Sequence, residues 1–192
     1  MLKKLYDRTM ILADHPKALW ILAIMSFAES SFFPIPPDVL LIPMVLAAPT
    51  RAWKIALVCS VSSILGGLFG YIIGAYFFDL IGQPIVDIYH LQAQFEKFST
   101  YYNQWGAWIV GIAGFSPIPY KVFTIASGVT GLDLTTFILA SAVSRSARFF
   151  LVAWLLWKYG LPIRTFIEKR LGLLTLLFCV ILVGAFVLLK YI

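Results

Sequence analysis

Long apolar segments, separated by short polar stretches, make up most of this chain. Two of them, residues 53–80 and 134–157, are unbroken and long enough to cross a bilayer as helices, since about 20 apolar residues span its hydrocarbon core. Two others, residues 18–48 and 106–132, contain prolines, which end a helix because they lack a backbone donor. Cut there, each is too short to cross twice, so each is predicted to be a re-entrant hairpin. The predicted fold class is an all-α multi-pass membrane protein.

The remaining parts of the chain are more polar or stand at its ends. Residues 1–15 place apolar side chains at roughly helical spacing among charges, which predicts an interfacial amphipathic helix. Residues 81–104 are predicted to form a surface connection that is partly helical. Residues 161–192 are predicted to be a basic segment followed by a final transmembrane helix. Residues 16–160 therefore form the predicted transmembrane domain.

The two predicted hairpins share a plan, which indicates an internal repeat. The residues predicted to break them are Pro34, Pro36 and Pro37 in the first hairpin and Pro117 and Pro119 in the second. The two Pro-Ile-Pro sequences are offset by 83 residues, and a polar turn and a long membrane helix follow each hairpin. A helix broken at membrane depth leaves backbone groups unpaired, which is tolerated only inside protein or beside water. The breaks are therefore predicted to lie at a site.

Basic residues indicate how the repeats are oriented, because cytoplasmic loops carry an excess of lysine and arginine. If the first hairpin enters and leaves on the cytoplasmic side, ten basic residues lie inside and two outside. The ten are Lys3, Lys4, Arg8, Lys17, Arg51, Lys54, Lys158, Arg164, Lys169 and Arg170, and the two are Lys97 and Lys190. The repeats are then inverted, with their breaks meeting near the midplane, where many secondary transporters bind substrate. This topology places the N-terminus in the cytoplasm and the C-terminus in the periplasm.

Composition agrees with a membrane location and narrows the chemistry. Of 192 residues, 61% are hydrophobic and 12% charged, about half the charged share of a soluble domain. Cys59, Cys179, His15 and His90 show no ligand spacing, so no metal and no cofactor is expected. No nucleophile lies near a credible base, and Ser116 has no recognisable partner, so an enzyme is not expected. A nucleic-acid partner is not expected either.

Five charged residues lie inside the apolar segments and form the predicted substrate or ion path: Glu29, Asp38, Lys121, Arg145 and Arg148. Two acids against three bases leave one positive charge, which favours an anionic ligand group such as phosphate. Alternatively, the acids carry protons, because a carboxyl group taken out of water holds its proton more readily. A salt-bridge cluster that only fixes the hairpins and binds nothing is a third interpretation.

Three smaller features concern packing. Gly66, Gly70 and Gly74 repeat every four residues, which predicts a stripe where another helix approaches closely. Asp133 precedes a membrane helix and is predicted to cap it. Tyr120, beside Lys121, is predicted to pack at an interface.

Several of these motifs together resemble one family of membrane proteins. They are Glu29, Pro34, Pro36 and Asp38 at their mutual spacing, the glycine-rich helix that follows, Phe-Ser-Pro-Ile-Pro-Tyr-Lys at 115–121 and Ser-Arg-Ser-Ala-Arg at 144–148. Over about residues 15–160 the chain resembles the DedA family, also called the SNARE-associated or VTT-domain family, and is most similar to its bacterial YqaA branch. Typical members carry two arginines around the second hairpin's proline. Lys121 can stand for the second, and the first has a counterpart only if Arg145 or Arg148 reaches the same space.

The resemblance implies an inner-membrane protein with two opposed re-entrant hairpins that translocates lipids. The implied cargo is undecaprenyl phosphate or a phospholipid, with coupling to protons as one alternative. The leading hypothesis is thus a flippase-like transporter whose partners are membrane lipids with an anionic headgroup. A proton-coupled transporter of a small anion and a non-transporting scaffold for envelope integrity are the two rivals. A homodimer is compatible with so small a transporter, although no feature of the sequence requires one.

Overall fold

The computed structural model describes residues 17–116 and 118–160, and these fold entirely into helices and connecting turns. The described elements, in chain order, are α1 (Ala18–Ser31), α2 (Asp38–Ala47), a 3₁₀ turn (Pro49–Arg51), α3 (Ala52–Phe77), a π turn (Phe78–Gly82), α4 (Gln83–Ile88), α5 (Gln92–Gln104), α6 (Gly106–Phe115), α7 (Tyr120–Val129) and α8 (Leu134–Tyr159). The coarse prediction of an all-α protein is confirmed for these residues. The amphipathic helix predicted at 1–15 and the segment predicted at 161–192 lie outside the described residues.

Each proline-containing segment forms two short helices separated by a break. The first break, residues 32–37, follows α1. At the end of α1, the backbone N–H groups of Phe32 and Phe33 both donate to the Ala28 carbonyl, at 2.8 and 2.7 Å. After the prolines, the Pro37 carbonyl accepts from Leu41 at 2.9 Å as α2 begins. The second break lies between Phe115, where α6 ends, and Tyr120, where α7 begins. Proline cannot donate to the preceding turn, so the chain leaves and re-enters helix at these points.

Two helical runs among the described residues are long and apolar enough to cross a membrane, judged by length and composition. They are Pro49–Ile88 and Leu134–Tyr159, which contain both segments predicted to span. The first run extends further than the sequence predicts, because the π turn carries α3 directly into α4. Pro84 lies in the first turn of α4, directly after the π turn. The predicted surface connection is therefore helical from its start.

Helices from the two halves of the chain are interleaved around α3 and α8, which pack against each other. The first short helix of each half packs on the long helix of its own half, α1 on α3 and α6 on α8. The second short helix also packs on the long helix of the other half, α2 on α8 and α7 on α3. This crossed arrangement brings the two breaks together between the long helices.

Two apolar clusters lie on either side of the breaks. One contains Leu22, Leu41 and Phe149, and the other contains Val110 and Phe137. Both clusters include residues of α8, and the segment of α8 between Phe137 and Phe149 carries the arginines. The charged groups are thus held between two packed cores.

The predicted glycine stripe lies where α3 meets its neighbours. A Cβ at Gly66 would overlap the backbone of Phe27 in α1, and one at Gly74 would overlap the backbone of Ile125 in α7. Gly70 faces the Thr124 side chain of α7. Small residues let helix backbones approach this closely.

The Asp133 carboxylate caps α8 as predicted, accepting a hydrogen bond from the Thr136 backbone N–H at 2.7 Å. This hydrogen bond lowers the pKa of Asp133 below its ordinary value of 3.8. A lowered pKa contributes stability that is present above the ordinary value and is lost as pH falls through the folded-state pKa.

We therefore expect Asp133→Ala to lower the melting temperature slightly at neutral pH, because α8 loses its cap. The difference from wild type should shrink below pH 3.8 as the wild-type carboxylate becomes protonated. Melting curves in detergent between neutral pH and pH 3 or so would measure it. Asp133→Asn is the control, since asparagine caps equally well without a charge. A difference that does not change with pH would contradict the capping role of the charged form.

Candidate functional site

The most buried charge among the described residues belongs to Arg145, at the middle of α8. Its side chain is 1% exposed, and its Nη2 atom lies 2.8 Å from Oε2 of Glu29, whose side chain is 14% exposed. Glu29 lies in the last turn of α1, just before the first break. The ion pair therefore joins the end of one broken helix to the long helix of the other half.

Hydroxyl groups and aromatic rings complete the surroundings of Arg145. Its Nε donates to Ser63 Oγ at 2.5 Å, and Ser63 Oγ is hydrogen-bonded to Ser30 Oγ at 2.7 Å. The guanidinium carbon lies 4.8 Å from the centre of the Tyr120 ring and 4.7 Å from that of Phe149. Cation–π contacts of this kind are strongest where water is excluded. Arg145 thus has partners in α1, α3, α7 and α8, and its position is firmly fixed.

Arg148, one turn further along α8, connects the two breaks directly. Its Nη2 donates to Oδ2 of Asp38 at 2.6 Å, while its Nη1 donates to the backbone carbonyl of Ser116 at 2.8 Å. Asp38 is the first residue of α2, where the positive end of the helix dipole favours a carboxylate. The Arg148 guanidinium therefore links the start of α2, just after the first break, to Ser116 at the second break.

One carboxylate oxygen of Asp38 has no hydrogen-bond partner among the described residues. This atom, Oδ1, is buried, although the side chain as a whole is 21% exposed. A buried acceptor without a donor is costly and uncommon. Asp38 therefore has an acceptor oxygen to which no described group donates.

A cavity of about 270 Å³ lies between the two breaks. Its lining residues are Glu29, Pro34, Pro36, Pro37, Ile118, Pro119, Lys121, Arg145 and Arg148. We call this the break cavity. Both breaks supply its walls, and four of the five predicted path residues line it, while the fifth, Asp38, is bonded to a lining arginine.

Lys121 is the one charged lining residue that has no ion pair or hydrogen bond to its side chain among the described residues. It lies in the first turn of α7, where the helix dipole disfavours a cation. The two acids are each paired with an arginine, so Lys121 carries the charge that nothing in the described site offsets. Its ammonium group is available to an anion in the break cavity.

The structure thus brings together all five charged residues predicted to form a path. It places Pro34, Pro36, Pro37 and Pro119 in the cavity wall, whereas Pro117 lies outside the described residues. The glycines Gly66 and Gly74 do not line the cavity but lie at helix contacts. No three His, Cys, Asp or Glu side chains of the described ranges lie close enough to hold a metal ion.

Sequence reasoning missed the hydroxyl and ring partners of Arg145. Tyr120 was expected at an interface, yet its side chain is fully buried, with its hydroxyl donating to Ser141 Oγ at 2.5 Å. Ser30, beside Glu29, and Ser63 were not singled out at all. Hydroxyl residues inside otherwise apolar helices were the signal that could have found them. Arg148, by contrast, does reach the second break, as the family pattern requires of one of the two arginines.

Comparison with known proteins identifies the chain's relatives. An uncharacterized protein of Haemophilus influenzae is 44% identical over 168 residues, which cover 85% of this chain and 87% of that protein. A Histophilus somni protein is 44% identical over the same length, and a Methanocaldococcus jannaschii protein is 28% identical over 125 residues, 65% of this chain and 75% of that protein. No solved structure matches the chain.

A family comparison covers most of the first break, the second break and four of the five charged residues. The model of the VTT domain matches residues 35–158, so Glu29 and the start of the first break precede the match. This family consists of membrane proteins that are generally assigned to transport rather than to catalysis. Because the match spans more than half of the chain, this protein belongs to the VTT-domain, or DedA, family.

Proposed function

We propose that this protein moves a phosphate-bearing lipid, either undecaprenyl phosphate or a phospholipid, across the bacterial inner membrane. The observation that carries the proposal is the break cavity, where two ion pairs and the unpaired Lys121 meet between the two broken helices. Each break forms the tip of a re-entrant hairpin in this proposal. The two hairpins enter from opposite sides, so the cavity can be reached from either face in turn.

The charge of the site supports an anionic ligand group. Glu29 offsets Arg145 and Asp38 offsets Arg148, which leaves the charge of Lys121. A phosphate group in the break cavity would pair with this ammonium group and bring the site close to neutrality. Arg148 lies in the same wall, and it would contact the phosphate once its bonds to Asp38 and Ser116 are released.

The size of the cavity indicates which part of a lipid it holds. At about 270 Å³ it is smaller than the roughly 300–1,000 Å³ of pockets that enclose whole drug-sized ligands. It therefore accommodates a headgroup, and the hydrocarbon chain must lie elsewhere. The same volume also suits a free inorganic anion, which makes a small-anion transporter the second candidate.

The carboxylates are proposed to balance the charge of the ligand or to exchange protons during transport. The orphaned oxygen of Asp38 can take up a proton, which would weaken its bond to Arg148 and free that arginine for phosphate. Transport of lipid phosphate should then depend on the pH gradient and fall in Glu29→Gln and Asp38→Asn. Unchanged transport in both variants, with the protein folded, would remove the carboxylates from the mechanism.

The experiment that tests the proposal is transbilayer movement of labelled lipids in proteoliposomes of the purified protein. We expect Lys121→Gln to slow movement of lipid phosphate at least about tenfold, the loss of one charge-assisted contact. Lys121→Arg should keep part of the activity, and Lys54→Gln, an exposed charge away from the cavity, is the control.

Two results of this assay would contradict the proposal. Folded wild-type protein that moves no lipid but moves inorganic phosphate would establish the small-anion transporter instead. The scaffold would be favoured if the protein moves neither substrate and if envelope defects in cells follow mutation of the glycine stripe but not of the charged residues.

The arrangement of the chain in the membrane is part of the proposal. The excess of basic residues places the N-terminus in the cytoplasm and the C-terminus in the periplasm. Thiol labelling of intact cells that carry Lys54→Cys or Lys97→Cys would test this topology, since the two positions are proposed to lie on opposite faces of the membrane.

A further inference from the structure

A long apolar groove runs between α6 and α8 on the outside of the protein. Its volume is about 860 Å³, more than three times that of the break cavity. The walls include Trp108, Gly111 and Phe115 on α6 and Leu139, Val143 and Ala147 on α8. We infer that this groove, here called the tail groove, holds the hydrocarbon chain of the same lipid whose phosphate lies in the break cavity. The inference rests on the proposed function and adds a site for the other end of the substrate.

The surface of the tail groove suits a hydrocarbon and not a polar ligand. Nine of its twelve lining residues are glycine or apolar, and two of the three hydroxyl residues, which are Ser116, Thr136 and Ser144, donate within the protein. Ser144 Oγ donates to the Ala140 carbonyl at 2.7 Å, and Ser116 Oγ donates to the Ala113 carbonyl at 3.3 Å. Neither hydroxyl hydrogen is left for a ligand, so burial of apolar surface is the interaction that the groove offers.

The tail groove adjoins the charged site at one end. Ser116 lines the groove, and its carbonyl accepts from Arg148, which lines the break cavity. Ala147, the neighbour of Arg148 in the chain, also lines the groove. A phosphate paired with Lys121 and Arg148 would thus leave its attached chain at the mouth of the groove.

The length of the tail groove agrees with this placement. Its α6 wall extends from Ala107 to Phe115, about 12 Å at a rise of roughly 1.5 Å per residue. That is a little under half of a hydrocarbon core about 30 Å thick. A groove that starts at a break near the midplane therefore ends near one membrane surface.

A second apolar groove, between α1 and α3, does not reach a break. Its volume is about 430 Å³, and its α1 wall ends at Ala23, whereas α1 continues to Ser31 before the first break. About 12 Å of helix therefore separates that groove from the break. The tail groove, by contrast, reaches a break directly, because Ser116 lines it.

Gly111 keeps the tail groove open. A Cβ added there would meet no atom within 4 Å, while one at Gly114, three residues on, would overlap the Ser144 side chain. Thus α6 touches α8 at Gly114 and leaves free space at Gly111. A larger side chain at position 111 would fill the groove without moving either helix.

The test is cross-linking with a long-chain lipid phosphate that carries a photoreactive diazirine in its tail, in nanodiscs of the full chain. We expect the adducts to concentrate on α6 and α8 and to be displaced by unlabelled lipid phosphate. Gly111→Leu should reduce them about tenfold, because a leucine takes the place of roughly two buried methylenes. Leu65→Phe, at an exposed position that lines neither groove, should leave them unchanged.

Three outcomes would overturn the inference. Adducts spread evenly over the apolar surface would mean that only annular lipid was captured. Full cross-linking by folded Gly111→Leu would place the tail elsewhere, while the proposed function would stand if lipid movement still required Lys121. Equal displacement by the neutral alcohol form of the lipid would show that the groove does not select a phosphate lipid, and this result would count against the proposed function as well.

Discussion

Arg145→Leu is expected to lower the free energy of unfolding by about 3–5 kcal/mol, the cost of leaving a buried charge without its partner. The Glu29 carboxylate would retain Ser30 Oγ, at 3.1 Å, as its nearest donor. Ser63 would also lose the group that donates to it, and the rings of Tyr120 and Phe149 would lose their cation. Reversible unfolding in mixed detergent micelles would measure the change.

A double-mutant cycle separates the charge from the packing. Glu29→Leu with Arg145→Leu should be more stable than Arg145→Leu alone, because removing both partners leaves no unpaired charge. Arg148→Leu is the comparison and should cost less, since Arg148 is 20% exposed whereas Arg145 is 1% exposed. Equal losses in Arg145→Leu and Arg148→Leu would contradict the role of burial.

Alanine at three glycines is expected to change stability in opposite directions. Gly66→Ala and Gly74→Ala should each destabilise the protein by about 1–3 kcal/mol, since the new methyl group overlaps a backbone carbonyl that cannot rotate away. Gly111→Ala should stabilise α6 by up to about 1 kcal/mol, because alanine is the better helix former and the space is free. Leucine at Gly66 or Gly74 should prevent folding, whereas leucine at Gly111 should not.

The same unfolding assay would measure the stability of these glycine variants, with the yield of detergent-stable protein as a second readout. Gly66→Ala as stable as wild type would show that α1 can move away from α3. Gly111→Ala less stable than wild type would show that the tail groove is closed by packing, which would also count against its role as a lipid site.

Sequence reasoning located the helices and breaks well because they depend on local chemistry. The prolines of the first break end α1 whatever surrounds them, and α2 begins at Asp38, directly after them. The lengths of the apolar segments likewise separated the long helices from the short ones. The continuation of α3 into α4 was missed because Gly82 and Pro84 indicate a turn, yet both fit within a helical run at a π turn and a first turn.

The partners within the site could not be read from sequence. Glu29 and Arg145 are 116 positions apart, and Asp38 and Arg148 are 110 apart. Either acid could pair with either arginine until the packing of α1 and α2 against α8 fixes which ends meet. For the same reason Lys121 has no charged partner within residues 17–116 and 118–160, since both acids pair with arginines of α8.

The tail groove was also beyond sequence reasoning. Gly111 and Gly114 look alike in the sequence, three residues apart in one apolar helix. Gly114 touches α8 and Gly111 faces open space, and this difference depends on how α6 packs against α8. Tertiary packing decides such matters, and only the structure shows it.

The most direct measurement is retention of a lipid phosphate, and of the same lipid ending in a neutral alcohol, by purified protein in native mass spectrometry. We expect wild type to retain the phosphate form in preference to the alcohol, and Lys121→Gln to lose most of that preference while Lys54→Gln keeps it. Equal retention of both forms by wild type, or a preference that survives Lys121→Gln, would contradict a phosphate headgroup in the break cavity.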